Sequence, residues 1–309
     1  RDRSPSRGLG DVYKRQIEKH IKPKLGDYEL EELSPLVLQN FMLEEIEHGN
    51  LKTGDYLATN TVVILVNLLK LVIGQAKVYE VTDKDNTGKI RCPFIEATKV
   101  TAFERDEQEK LEKYCLRSKK TNHLGIVVCL YTGLRIGELL ALCWSDIDFK
   151  NGIISINRSS QYLADMGVFT KVPKTESSIR EIAIPEFIVS LLEEYKLWYE
   201  EQKSIYGELW TNSDRLFVQA DGKPMHPSTI SKWFVKYVGQ IGLPVINFHG
   251  LRHTNASLLV AQNIDIAVIS ARLGHAQIST TLDFYVHPLL SHNRKAGYAL
   301  ENLLLPTRS

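Results

Sequence analysis

At 309 residues, 43% of them hydrophobic and 24% charged, the chain is long enough for two domains that each bury a core. Its 38 Lys plus Arg against 37 Asp plus Glu leave a formal charge of +1, which excludes a uniformly basic nucleic-acid glove and puts any such function on local groups of residues. Four cysteines, Cys92, Cys115, Cys129 and Cys143, show no CxxC spacing and fit reduced, buried thiols in a cytoplasmic protein.

Residues 1–16 are rich in Arg, Ser and Gly, lack periodicity, and are expected to be non-native or disordered. Over 17–95 the pattern is helical. Leu36, Leu38, Phe41, Met42 and Ile46 mark a helix over 33–47, and a longer amphipathic helix is predicted over 59–78. The most apolar run, 62–73, is broken by Asn67 and Lys70 and is shorter than the ~20 residues a bilayer-spanning helix needs, so it reads as a core helix and not a membrane anchor. Residues 17–100 hold ten Lys plus Arg against thirteen Asp plus Glu, a net of about −3. A nucleic-acid-facing side there would rest on a few residues such as Lys52, Lys70 and Lys77.

Periodicity lapses between 86 and 102, around Gly88 and Pro93, which marks a linker, and a second domain is expected over 101–309. It opens with a charged helix over 104–117, followed by helical runs over 124–131 and 134–142. Strand signals follow at 152–156, with Asn151-Gly152 as the turn, at 167–172 and at 180–184. Helices are then predicted over 185–202, 227–241, 250–262, 266–273, 279–286 and 292–305. The fold class is mainly α with a small antiparallel β-sheet, α+β. There is no internal repeat and no Gly-rich phosphate loop, so no nucleotide cofactor is implied.

Six residues combine into one chemistry. Gly133 can end a helix in a left-handed turn, so that Arg135 opens the next helix and presents its fork to a phosphate beside helix-terminal amides. Lys174 falls in the turn between two short strands, where a lysine beside other cations can be brought to donate a proton. His249 and Arg252, three apart, share a helix face, while His253 points elsewhere and serves packing or a backbone hydrogen bond. His275 follows Gly274 at an expected helix start, and Tyr285, ten residues on, supplies a phenol. Glu138, one turn after Arg135, is placed to orient a neighbour and not to react. Each residue alone is more often surface or core; the joint order is what points to breaking a phosphodiester with a phenol nucleophile, imidazoles and guanidinium groups.

The order R…K…HxxR…LGHx9Y and the runs TGLRIGELLAL, PKTESSIREI, HGLRHT and LGHAQISTTLDFY closely resemble the tyrosine recombinase, or phage integrase, family. Within it they are most similar to the integrases of prophages and conjugative transposons, from about Thr101 to Leu305. The resemblance implies a two-domain clamp closing on double-stranded DNA at attachment sites: a helical core-binding (SAM-like) domain over 17–95 and a catalytic domain over 101–309. It implies Arg135, Lys174, His249, Arg252, His275 and Tyr285 as the catalytic set. Tyr285 would form a 3′-phosphotyrosyl bond, Arg135 and Arg252 would hold the phosphate, and Lys174 would protonate the leaving 5′ oxygen. His249 would assist the tyrosine and His275 would donate a hydrogen bond. Bond energy is conserved in such an exchange, so no ATP, metal or other cofactor is expected.

The resemblance also implies a homotetramer on DNA, its carboxy-terminal apolar helix docked on a neighbour or self-packed, and an accessory bending or directionality protein. Such integrases carry an amino-terminal arm-binding domain that this sequence lacks, so a truncated core-binding domain is expected. The alternatives are a chromosome-dimer-resolving recombinase of the same family and a catalytically silent DNA-binding relative. A topoisomerase-like enzyme would use similar chemistry on one strand.

Overall fold

Apolar residues recurring every three or four positions place the amino-terminal elements on a common core. The computed structural model describes residues 13–93, 102–118, 120–163, 166–173, 176–211 and 213–282. They fall into two units, before and after the boundary between Thr98 and Lys99. In the first unit, helix α1 runs π-helical over Ile17–Ile21 and α-helical over Lys22–Leu25. Residues 13–16, expected to be disordered, are already helical and lead into it.

Helix α2 spans Pro35–His48, with Pro35 in its first turn and the Ser34 hydroxyl accepting from the Val37 amide at 3.3 Å. Helix α3 spans Thr59–Val78. Leu38, Phe41 and Met42 of α2 pack against Val62, Leu65, Val66, Leu69 and Ile73 of α3. A carboxylate inside this core, Glu45, is held by His20 Nδ1 at 2.7 Å and Lys24 Nζ at 3.0 Å, which fastens α1 to α2. Over its most apolar 18 residues the 20-residue α3 has a mean hydropathy of 1.7, long and apolar enough to cross a bilayer, so the length of its apolar run is no argument against an anchor. What marks it as a core helix is the face it packs on α2.

In the second unit α4 is Arg105–Leu116, α5 Thr121–Thr132 and α6 the single turn Ile136–Leu139. Strands β1 (Ile147–Asp148), β2 (Ile153–Ile156) and β5 (Arg180–Ala183) form one antiparallel sheet in the order β1-β2-β5. Strands β3 (Ser159–Leu163) and β4 (Gly167–Lys171) form a second, two-stranded sheet. Helices α7 (Glu186–Tyr206), α8 (Pro227–Gln240), α9 (Gly250–Ala261), α10 (Ile266–Leu273) and α11 (Ser279–Leu282) follow. The core gathers Ile126 and Val128 of α5, Leu139 of α6, Ile154 and Ile182 of the sheet, Ile188 and Leu192 of α7, Phe234 of α8 and Leu251 of α9.

Three expectations change. The helix predicted over 134–142 is one turn long, because Leu139 to Leu142 are all buried and cannot form an amphipathic stripe. Arg135 is its extended N-cap. The single expected sheet is two. Strand β4 pairs with β3 while β5 pairs with β2, so β4 and β5 are not the two strands of one hairpin. Finally, Gly274 ends α10 in a left-handed conformation, φ 67° and ψ 49°, so His275 follows a helix end and not a helix start. Helix-terminal amides therefore give no support at His275. The expected helix over 292–305 lies outside the described residues.

Cys115, Cys129 and Cys143 are buried and Cys92 is exposed. Burial pushes the Cys115 thiol up to about 12 and raises Cys129 and Cys143 as well.

Candidate active site

Two left-handed glycines set the frame. Gly133 closes α5 at φ 67°, and a Cβ there would lie 2.4 Å from Leu273 Cδ2 and 2.8 Å from Asn255 Oδ1. At Gly274 a Cβ would lie 2.9 Å from Arg180 Nη1. Both glycines turn a carbonyl to an arginine. Arg252 Nη1 donates to Gly133 O at 2.9 Å, and Arg135 Nη2 donates to Gly274 O at 3.2 Å.

Glu138 joins two of these arginines, Arg135 and Arg180. Its carboxylate accepts from the Arg135 amide at 3.0 Å and Arg135 Nη1 at 2.9 Å, and from Arg180 Nη1 at 3.3 Å and Nη2 at 2.9 Å. Only 6% of its side chain is exposed, against 7% for Arg180 and 38% for Arg135. Burial alone would raise the Glu138 carboxyl, but the Arg180 and Arg135 contacts outweigh it and hold it below the usual range. Glu138 therefore stays anionic, and Arg135 keeps its exposed guanidinium edge for another anion.

Arg252 lies on α9 and is 1% exposed. Burial, and then the charge of Arg135, pushes its guanidinium down to about 9, which leaves it cationic at neutral pH. Its Nη2 makes no hydrogen bond among the described residues, a donor left over in a buried position. His249 is the N-cap of α9, and its ring meets that of His253 edge-on at 4.6 Å. Burial and then Arg252 and Arg135 lower the His249 pKa. His275 Nδ1 lies 2.7 Å from Thr281 Oγ1. Burial, followed by Arg252, Arg135, His249 and Arg180, pushes it down to about 4. The charges that each group senses show that Arg135, Arg180, His249, Arg252 and His275 converge, with Glu138 the one carboxylate in their hydrogen-bond network among the described residues. Neutral imidazoles among guanidinium groups form a site that takes an anion bearing oxygens.

Of the six residues predicted from sequence, Arg135, His249, Arg252 and His275 come together. Lys174 and Tyr285 lie outside the described residues. Two arginines belong to the frame that the sequence reading did not single out as functional. Arg180 donates through Nε to Arg272 O at 2.6 Å and through Nη1 to Ser178 O at 3.2 Å, besides its fork on Glu138. Arg272 joins α10 to Tyr131 O at 2.8 Å and Ala183 O at 3.1 Å. The signal for Arg180 was present: two residues before the buried Ile182 in β5 it shares that residue's face of the sheet, and a charge pointing inward needs a partner.

Residues 101–292 match the phage integrase family, and residues 11–44 match the N-terminal SAM-like domain of phage integrases. A XerC-like tyrosine recombinase from Caldanaerobacter subterraneus subsp. tengcongensis is 26% identical over 306 residues, which covers 94% of this chain and 78% of that protein. The ICEBs1 integrase of Bacillus subtilis is 26% identical over 290 residues, 93% of this chain and 76% of its own. The fold is similar to that of a segment of the Tn1549 transposon integrase in complex with transposon right-end DNA. Its TM-score is 0.79 and its identity 20%, over 99% of this chain and 96% of that one.

Proposed function

The chain belongs to the phage integrase family and is a tyrosine-type site-specific recombinase, and from that premise we propose that it integrates or excises a mobile element, cleaving and rejoining duplex DNA through a 3′-phosphotyrosyl intermediate on Tyr285. The observation that supports this reading best is the convergence of Arg135, His249, Arg252 and His275 around donors that the protein leaves unspent.

The phenol oxygen of Tyr285 attacks the scissile phosphorus, the P–O5′ bond breaks, and the 5′ oxygen leaves with a proton from Lys174. The reverse step, with the 5′-hydroxyl of another strand as nucleophile, reseals the DNA and releases the tyrosine. Arg135 and Arg252 bind the non-bridging oxygens. Their positions are set before substrate arrives by Glu138 and by the carbonyls of Gly133 and Gly274, so little reorganisation accompanies charge build-up. A phenol has an unperturbed pKa of about 10, so the surrounding cations and the neutral His249 imidazole favour its deprotonation. His275, pushed down to about 4 and so neutral at pH 7, has Nδ1 2.7 Å from Thr281 Oγ1, and its imidazole donates a hydrogen bond to the phosphate. Exchange between two duplexes cuts four strands, which calls for four copies acting together on DNA.

The test is covalent trapping. Protein and its Tyr285→Phe variant are incubated, with chelator present, with nicked duplexes carrying the ends of the encoding element. A denaturation-resistant protein–DNA adduct made by the parent and absent from the variant is the expected result. Binding without an adduct in either sample would favour a silent DNA-binding relative.

A further inference from the structure

The last carbonyls of a helix have no partner within it, and at the end of α5 they are taken by side chains from distant parts of the chain. Leu130 O accepts from Asn255 Nδ2 of α9 at 2.7 Å, and Tyr131 O accepts from Arg272 Nη2 of α10 at 2.8 Å. Gly133 O, just past the helix end, accepts from Arg252 of α9. Both α9 and α10 are therefore set against the point from which the chain runs two residues to Arg135. Arg272 also reaches the edge strand β5, where its Nη1 donates to Ala183 O at 3.1 Å, and its own carbonyl accepts from Arg180 Nε at 2.6 Å. One residue thus ties three segments that each carry a group of the site: Arg135 after α5, Arg180 at the start of β5, and Gly274 with His275 at the end of α10.

Apolar packing alone cannot fix that arrangement. α10 is eight residues long and rests on α9 through Ile269 and Leu273 against Ala256 and Val260. Such contacts are non-directional: they set how close the two helices lie, and leave a two-turn helix free to rotate or slide on its support. A rotation of α10 would carry Gly274 O off Arg135 Nη2, because Gly274 stands two residues beyond Arg272. The electrostatics also argue against simple space filling. Burial and then the charge of Arg180 lower the Arg272 pKa, no carboxylate pairs with its guanidinium among the described residues, and its Nε is buried there without an acceptor. An apolar side chain of similar volume would fill the same space without those costs.

We infer that Arg272 is a positioning residue for strand cleavage: its planar fork sets the end of α10 against α5 and β5, and so holds the Gly274 carbonyl on Arg135 and His275 among the arginines. It acts through Arg135 and His275 and not on the phosphate itself. This rests on the reading of the site as one that cleaves DNA through Tyr285.

The experiment is single-turnover cleavage of the nicked element-end duplex, with binding of the same duplex measured beside it, by the parent and by Arg272→Ala, Arg272→Met and Arg272→Lys. Guanidinium chloride is added at about 50 mM, well below the molar range in which it unfolds proteins, against sodium chloride at the same concentration, because DNA binding depends on salt. Arg272→Ala should bind DNA as the parent does and cleave about tenfold to a hundredfold more slowly, the scale of a small misplacement of the reacting groups. Guanidinium, which fits the vacated fork, should restore much of that loss. Arg272→Met, whose side chain fills the slot, should be slow and show no response. Arg272→Lys keeps the charge and loses the fork, so it should bind as the parent and cleave more slowly, and it decides the matter if Arg272→Ala does not fold. Variants that cleave at the parental rate, or lose binding in step with cleavage, or an Arg272→Ala that stays slow in guanidinium, would overturn the role of Arg272 while the parent still forms its Tyr285-dependent adduct. A parent that forms no such adduct would instead overturn the recombinase reading, and the inference with it.

Discussion

Burial, and then the arginines beside them, keeps His275 and His249 neutral, and this has a cost that depends on pH. Both have folded pKa values below the usual 6.5, His275 down to about 4, and His253 is likewise pushed to about 4. Below pH ~6.5 the unfolded chain binds protons at these rings and the folded chain does not, so stability falls with pH until the folded values are reached. Glu138 adds a second loss with the same sign, because its carboxyl is held low in the fold and takes a proton only after that of the unfolded chain. Thermal unfolding of the catalytic unit should therefore shift to lower temperature as pH is taken from 7 to 4.5. A flat melting temperature over that window would mean that the imidazoles are not held neutral. At this scale the sequence was readable where a residue sits in a named motif, as Arg135, His249, Arg252 and His275 do. It gave Arg180 only a strand position, because the carboxylate that sets its role lies 42 residues away in the chain.

The left-handed turn at Gly133 is the element on which the site depends most. Gly133→Ala costs about 1–2 kcal/mol for the backbone alone, and the new Cβ has Leu273 Cδ2 at 2.4 Å and Asn255 Oδ1 at 2.8 Å, so either these buried side chains or the Gly133 backbone, with the carbonyl held by Arg252, must shift. The expected outcome is a lowered melting temperature together with slower cleavage and retained DNA binding; an unchanged cleavage rate would show that the Gly133 carbonyl does not set Arg252. Gly133 as a helix stop was legible because only a left-handed C-cap explains a glycine between two apolar runs. The one-turn length of α6 was not, since Leu139 to Leu142 are apolar whether helical or not. Nor was the sheet to which each strand belongs. β4 and β5 carry strand patterns close together in the chain, and adjacency favours a hairpin, yet β4 pairs with β3, whose polar run Ser159, Ser160 and Gln161 gave little strand signal; the Arg215 guanidinium donates to Ser160 on one strand and Thr170 on the other.

Across the whole chain the two cores are separate. One gathers residues between Leu25 and Ile90, the other residues between Phe103 and Leu251. Residues 99–309 expressed alone should unfold in one cooperative transition at close to the temperature of the catalytic unit in the full chain. A molten fragment would show that the catalytic core needs the amino-terminal unit. The family was legible because its motifs are short and local, whereas the negative charge of residues 17–100 gave no hint of a DNA partner. The four cysteines have a practical consequence. With Cys115, Cys129 and Cys143 buried and their thiols pushed to high pKa, maleimide at neutral pH reacts at Cys92, six residues before the boundary between the units. The native sequence is thus ready for single-dye fluorescence at the joint of the molecule, with no cysteine to remove and no side chain of the recombination site disturbed.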